Sequence, residues 1–438
     1  MRYRTIPCLL TTALTLSSVA ACGSSGPGGG DVHDSGRPTV PAAPPRQAYD
    51  PPTAFDAGKG VVLPGAALGM AKEPALGRPR RSLPVVLDGT TAYLATTDSL
   101  QAVDVTTGKV TTTLGARNPA AQPSSTSDGD NPAGAPVLAT VNGKSDAAVA
   151  FLENVPGQGT TAGHLSVELA ALDTGTGQAA WSMLLDVPDG VIDPRPTSSN
   201  SPSATLLGVH GSTAVVEVTD GHQGVVLAAD LGTRKALWEK NAFLPLAVAG
   251  SQVVGVVHQD GGDDAVTALD LTDGHQVWSL PNDVYNTSID VVGPTKVLVS
   301  AQDFESGAWS AQLVDDATGH AAPVASFDSG TAVSQCLYDD RSVILCANDS
   351  TVVAADATDG HQLWSLPDAA HHRVAPKVSA LWHGLAYGVT ENGPVILDAR
   401  TGADRSAGPT ITPLLVDGYT ALAYDGGHSD LRAYPTTG

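Results

Sequence analysis

Val352-Val-Ala-Ala-Asp356-Ala-Thr-Asp-Gly360-His-Gln-Leu-Trp364 is the stretch whose reading decides the fold. An apolar run leads into Asp356, a polar turn ends at Gly360, and Trp364 follows on the far side. Each residue type has a local reason to be there. The Asp carboxylate accepts turn N–H groups, and Gly supplies a backbone position with φ > 0. A second short strand then leaves the turn carrying the indole.

The same line recurs along the chain. Asp104, Asp173, Asp230, Asp270, Asp315, Asp356 and Asp398 hold the Asp place, at intervals of 69, 57, 40, 45, 41 and 42 residues. Gly stands four residues on in every copy except that of Asp230, where Arg234 takes its place. Trp181, Trp238, Trp278 and Trp364 stand eight residues on. A worn copy, Leu431-Arg-Ala-Tyr434-Pro-Thr-Thr-Gly438, ends the sequence. A spacing held this tightly implies one local structure, and an indole at constant offset is long enough to dock on the neighbouring copy. In the copy of Asp356, Ala332–Tyr338, Ser342–Ala347, Thr351–Ala355 and His361–Leu366 read as four antiparallel strands. Four strands per ~40–45 residues is the blade of a β-propeller.

The expected fold is therefore all-β: an eight-bladed β-propeller of four-stranded antiparallel blades, with seven blades as the alternative. Blades are placed at about 82–115, 135–186, 204–241, 244–282, 287–327, 331–368 and 374–407. The eighth, from about 411, has only three strands before the chain stops at Gly438. The segment 54–68, AFDAGKGVVLPGAAL, is expected to supply the fourth and close the ring, which leaves no open edge.

The line A-x-D-x-x-T-G-x-x-x-W resembles the repeat of PQQ-like β-propellers, over roughly residues 53–438. Among these the chain looks most like the BamB-like propeller lipoproteins of outer-membrane β-barrel assembly. The resemblance implies a lipid-anchored body working through protein contacts. It is a strong statement about fold and a weak one about function.

The N-terminus sets the compartment. Arg2 and Arg4 precede an uncharged stretch from Ile6 to Val19, too short to span a membrane, and Val19-Ala-Ala-Cys22 follows. This resembles a bacterial lipobox, which implies cleavage of a signal peptide (1–21) and lipidation of Cys22. The alternative is an ordinary secretion signal with an incidental Cys22. Residues 22–52, Gly/Ser-rich and then Pro-rich, read as a disordered tether to the propeller at 53–438. The protein is thus expected at the outer face of the bacterial cell membrane, as a monomer. Two cysteines remain for an oxidising setting: Cys336 and Cys346 flank a polar turn with apolar arms, so a disulfide across a hairpin is expected. A metal pair or a redox-active pair lacks a CxxC spacing or neighbouring His.

Composition narrows the function. Of 438 residues 42% are hydrophobic and 16% charged, which allows a large core and argues against global disorder. Lys and Arg number 23 against 45 Asp and Glu, a net charge of -22, which disfavours nucleic acid. An acidic rim suits basic or polar protein partners, here an unidentified one at the membrane surface. Two stretches, Ala116–Pro136 and Pro188–Ser203, are longer than ordinary blade connections and are candidates for recognition.

An enzyme reading, a quinoprotein (PQQ-dependent) dehydrogenase, is the alternative the resemblance raises. The adjacent cysteine pair, catalytic Asp and calcium ligands it implies have no recognisable match, and no c-type haem motif appears. A carbohydrate- or cell-wall-binding propeller would need exposed aromatics, for which Trp309 and Trp382 are the candidates. The turns at Asp220-Gly-His222, Asp273-Gly-His275 and Asp359-Gly-His361, together with His371-His372, could hold a metal adventitiously but read as solvated loops. Asp128-Gly-Asp130-Asn131 begins like a calcium loop but lacks its twelfth acid, since Ala139 stands there. Asp260-Gly-Gly-Asp263-Asp264 reads as a hairpin turn. The expectation is a non-catalytic scaffold with no cofactor and no metal.

Overall fold

The computed structural model describes residues 47–64, 83–121, 133–192, 202–220, 223–258, 264–280, 284–303, 305–324, 335–348, 350–407, 409–424 and 430–438. Cys22, the signal segment, the Asp128 and Asp260 turns, His222 and the middles of both long insertions lie outside them.

Eight four-stranded antiparallel blades follow one another around a ring. Blade 1 is Val85–Asp88, Thr91–Ala95, Ser99–Asp104 and Lys109–Gly115; blade 2 is Val137–Val141, Lys144–Val155, His164–Asp173 and Ala179–Asp186. Blade 3 runs Ser203–His210, Thr213–Thr219, Gly224–Asp230 and Lys235–Asn241, and blade 4 Phe243–Ala249, Gln252–His258, Asp264–Asp270 and Gln276–Ser279. Blade 5 comprises Val284–Val291, Lys296–Asp303, Trp309–Asp315 and Ala321–Pro323; blade 6 Gln335–Tyr338, Val343–Ala347, Val352–Asp356 and Gln362–Leu366. Blade 7 is Lys377–Trp382, Leu385–Thr390, Gly393–Asp398 and Asp404–Ala407. Blade 8 has Leu415–Val416, Thr420–Tyr424 and Leu431–Pro435, and its fourth strand is Val61–Val62 from the N-terminal side. The closure expected from 54–68 is made by its middle, with Val61 opposite Ala433 and Val62 opposite Arg432. One bridge, Asp264 with Val284, also ties blade 4 to blade 5.

The core is distributed over the seams. Eight clusters of buried side chains are found among the described residues, and each joins one blade to the next. The last seam is built like the others: Leu63, Leu422, Leu431 and Ala433 of blade 8 pack on Val85, Leu87, Leu94 and Val103 of blade 1. Middle strands explain this. Val215 faces blade 4 while Val216 faces blade 2, because successive side chains of a strand point to opposite faces. Such strands read as continuous apolar runs, and Val343–Ala347 and Val352–Asp356 are buried throughout.

Antiparallel order fixes two faces. The turn joining a blade's first and second strands and the Asp-x-x-x-Gly turn joining its third and fourth lie at one end. Connections from one blade to the next leave from the other. Gly115 and Val137, which bracket one long insertion, and Asp186 and Ser203, which bracket the second, therefore all end at the face opposite the Asp turns.

Candidate functional site

The repeat turn is the smallest unit from which the faces are built. Each repeat Asp accepts at least one N–H of its own turn. Asp104 takes Thr106 N at 2.8 Å, Asp173 Thr176 N at 2.8 Å, Asp230 Gly232 N at 2.7 Å and Asp270 Thr272 N at 2.7 Å. Asp315 takes Thr318 N at 3.0 Å, Asp356 Thr358 N at 2.9 Å and Asp398 Thr401 N at 2.8 Å. Turn donors hold the carboxyls of Asp173, Asp230, Asp315 and Asp356 below the usual carboxylate range. For Asp398 burial opposes the same donors and Arg405, and the net shift is still downward.

The repeat Gly does a second job that the spacing alone does not reveal. It has positive φ in every copy, as does Arg234 in the exceptional one. In three seams it also receives the indole of the preceding blade. A Cβ on Gly274 would stand 2.7 Å from Trp238, one on Gly319 2.8 Å from Trp278, and one on Gly402 2.7 Å from Trp364. Each of these indoles then donates to the carbonyl just after the next blade's Asp: Trp238 to Leu271 O at 2.9 Å, Trp278 to Asp316 O at 2.5 Å, and Trp364 to Ala399 O at 2.8 Å. The aim of the indole comes from a bulge. In blades 1, 2, 3, 4, 6 and 7 the register between third and fourth strands slips by one residue, at Thr111, Ala180, Leu237, Val277, Leu363 and Arg405, each immediately before the Trp place.

Trp181 departs from this pattern. The next blade carries Arg234 instead of Gly, and its guanidinium lies 4.8 Å from the Trp181 ring centre. Arg234 Nε donates to Leu231 O at 2.6 Å, the carbonyl whose counterpart takes an indole in those three seams. Trp181 Nε1 instead donates to Asp146 Oδ2 of its own blade at 2.8 Å. Asp146 is buried and sits directly opposite Asp173 on the neighbouring strand, and burial raises its carboxyl above the usual range.

Two further acids are buried in blade 2, which the sequence reading missed. Glu153 is 0% exposed and Glu168 2%. Asn118 donates its backbone N at 3.0 Å and its Nδ2 at 2.9 Å to Glu153. Arg117 donates its backbone N at 2.8 Å and its Nε at 2.9 Å to Glu168. Burial, and after it the neighbouring Glu153, push Glu168 upward. The first residues of the long insertion that begins at Ala116 are thus clasped by a carboxyl pair.

The segment expected to be tether makes contacts from Tyr49 onward, ahead of residue 53. Tyr49 N donates to Gly418 O at 2.8 Å, and Asp50 is shared by Arg341 Nη2 (2.9 Å) and His383 Nδ1. Buried Tyr387 donates its hydroxyl to Pro52 O at 2.8 Å. Arg341, His383 and Gly418 lie in the first-to-second-strand turns of blades 6, 7 and 8, so the chain enters the ring on the Asp-turn face.

The remaining candidates fall as follows. Cys336 and Cys346 are directly opposed, with Cα atoms 4.1 Å and sulfurs 2.08 Å apart. Asp270, Asp273 and His275 bring ligand atoms within 4.8 Å of one another, and His275 Nδ1 lies 2.5 Å from Asp273. His361 Nδ1 is at the same distance from Asp359. Asp368 caps the short helix Ala369–His371 and lies 2.6 Å from His371 Nδ1. Trp309 and Trp382 are half-buried, and Trp382 stacks on His383 at 4.0 Å.

Seven Asp-turn blades, an eighth completed by the N-terminal strand and indoles seated on the following blade in three seams define a PQQ-like repeat propeller. The chain belongs to the family described as outer membrane protein assembly factor BamB, whose model matches residues 165–303 and 291–413. Among solved structures it is similar to BamB from Moraxella catarrhalis, at 14% identity over 82% of this chain and 97% of that one, with a TM-score of 0.47. It is also similar to the quinohemoprotein alcohol dehydrogenase from Comamonas testosteroni (12% identity, 88% and 76% covered, TM-score 0.45) and to a europium-containing methanol dehydrogenase (14%, 83% and 84%, TM-score 0.40). None of these structural likenesses bears on activity. No curated protein sequence matches the chain.

Proposed function

We propose that this protein is a non-catalytic, extracytoplasmic scaffold, lipid-anchored through Cys22 at the outer face of the cell membrane and acting through protein–protein contacts. One observation carries the reading: the conspicuous polar and aromatic residues of the repeat are spent on the architecture. Seven Asp carboxylates cap turns, Trp238, Trp278 and Trp364 each donate the indole N–H to a carbonyl of the next blade, and Trp181 donates to Asp146 of its own blade. Membership of an assembly-factor family supports the same conclusion. The anchor is the lipobox cysteine; among the described residues no helix is long and apolar enough to cross a membrane. In this reading the Cys336–Cys346 disulfide staples blade 6, and residues between Cys22 and Tyr49 form the tether.

Purification of the lipidated protein from native membranes, followed by identification of co-purifying chains, tests the scaffold role. A stoichiometric protein partner is expected. Reconstitution with pyrroloquinoline quinone and calcium tests the enzyme alternative: a bound-quinone spectrum with dye reduction by an alcohol would overturn the proposal. Cys22→Ala should move the protein from the membrane to the soluble fraction; unchanged membrane retention would remove the anchor from the proposal.

A further inference from the structure

Glu153 and Glu168 lie on the face of blade 2 turned to blade 1, in line with Phe151 and Ala170 of the same strands, and both are buried. Glu168 hydrogen-bonds Glu153, and two carboxyls can do so only if one of them carries a proton. Charge gives the same answer. One guanidinium, that of Arg117, meets the pair, so two carboxyls with one proton between them leave the group neutral. Without that proton an uncompensated negative charge is enclosed in the seam, which is costly. The donors to both acids come from two consecutive residues, Arg117 and Asn118. These belong to a strap, Ala116–Ala121, laid along the end of blade 2's second strand, where the first strand no longer pairs beyond Ala148. Apart from the acids the strap is held by few bonds. Ala116 N donates to Asp98 O at 2.8 Å, Ala121 N to Leu152 O at 2.8 Å, Asn154 N to Pro119 O at 2.9 Å, and Arg117 Nη2 to Ser182 Oγ.

We infer that the Glu153–Glu168 pair is a proton-operated latch, which holds Ala116–Ala121 on blade 2 while it shares one proton and releases them when that proton leaves. With both carboxyls ionised, two like charges stand in contact away from water. Water reaches them most readily by lifting the strap, a local opening that spares the strands of the blade. Lifting solvates both acids and bares the backbone of Leu152 and Asn154 on the face opposite the Asp turns. The closed form keeps a proton that the open form gives up, so low pH favours closure. Opening then gains up to about tenfold per pH unit between the ordinary Glu value of 4.5 and the value to which burial and Glu153 raise Glu168, and levels above it. Other charged groups share this seam. Asp186 lies across Ser166 from Glu153 and has His164 Nε2 at 3.3 Å. Asp98 of blade 1 accepts Thr96 Oγ1 at 2.8 Å, and Tyr93 lies towards the Asp turns, near Asp88 and Asp173. The latch stands apart from the scaffold reading, and a failed search for a partner leaves it untouched.

Amide hydrogen exchange of the full-length protein tests the latch, read by mass spectrometry on peptides covering Ala116–Ala121 and Leu152–Val155 and corrected for the intrinsic pH dependence of exchange. Between pH 5 and pH 8 both peptides should lose about tenfold in protection, while a peptide covering Thr213–Thr219 in blade 3 keeps its own. In Glu168→Gln the new amide donates to Glu153 without titrating, so protection of the strap should no longer depend on pH. Should that variant not fold, Glu153→Gln takes its place with the same expectation. His164→Gln, the control for the neighbouring imidazole, should keep the wild-type profile. A flat wild-type profile, a pH dependence that survives in the Gln variant of the pair, one that disappears in His164→Gln, or an equal loss of protection in blade 3 would each overturn the inference.

Discussion

At the scale of single residues, the seam contact is a pair rather than a lone indole. Trp278 is 8% exposed and lies against Gly319, so each residue limits what the other can be. Trp278→Ala should cost about 3–5 kcal/mol, as for a large aromatic removed from a core. Gly319→Ala should cost about 2–3 kcal/mol, from positive φ (70°) and the close approach of the ring. The double variant should cost clearly less than the sum, because removing the indole makes room for the new methyl. Urea unfolding of the four proteins measures this, and strict additivity would mean that the two residues do not touch. Glu217 makes a different prediction. It keeps part of its surface at solvent, yet the strands of blade 3 desolvate its carboxyl enough to push it up to about 7 from 4.5. A carboxyl raised in the fold stays protonated while its unfolded counterpart ionises, so stability falls as pH rises from 4.5 to 7 and then levels. The loss is up to about 3 kcal/mol, less where water screens the charge. Glu217→Gln should flatten that part of the pH–stability curve; an unchanged slope would assign it to other acids.

At the scale of strands and turns, what could be read from the sequence was what is local. Asp356, Gly360 and Trp364 fall within one turn and its flanking strand, so their spacing reports their geometry. The same holds for Cys336 and Cys346, which share a hairpin. Pairings made at a distance were not legible. Trp181 has the same offset as its counterparts, but its hydrogen bond goes to Asp146, and the reason, Arg234, lies in the next blade. Glu153 and Glu168 look like ordinary strand acids until Arg117 and Asn118 are placed against them. The bulge was hidden for another reason: a slip of one residue leaves the apolar pattern intact while rotating every later side chain. The clasp in blade 2 carries its own prediction. Arg117→Met leaves the raised Glu168 without its counter-charge, so the variant should lose more stability at pH 8 than at pH 5. Thermal melts at the two pH values measure it, and equal losses would make the Arg117 contact one of packing alone.

At the scale of the whole molecule, a ring of eight seams is only as strong as the seam that joins its ends. Residues Tyr49–Leu63 make that join twice over. Val61–Val62 completes the sheet of blade 8, while Phe55 (5% exposed) and Leu63 (1%) fill the seams with blades 7 and 1. Thr53 N and Ala54 N both donate to Gly438 O, so the chain end is held by the segment that begins the ring. The Gly/Pro-rich composition upstream disguises this, because the clamp on Asp50 is made by side chains of blades 6 and 7 rather than by any local pattern. Phe55→Ala should therefore cost about 3–5 kcal/mol, whereas Asp50→Asn, which breaks a half-exposed ion pair, should cost no more than about 1 kcal/mol. Deleting residues 47–63 removes both seam-fillers and bares the third strand of blade 8 as an edge. The expected outcome is a lower melting temperature and concentration-dependent association by light scattering. A synthetic 47–64 peptide added in trans should reverse both by pairing again with Leu431–Pro435. A deletion variant that stayed monomeric with an unshifted melt would show that the other seven seams suffice to hold the ring.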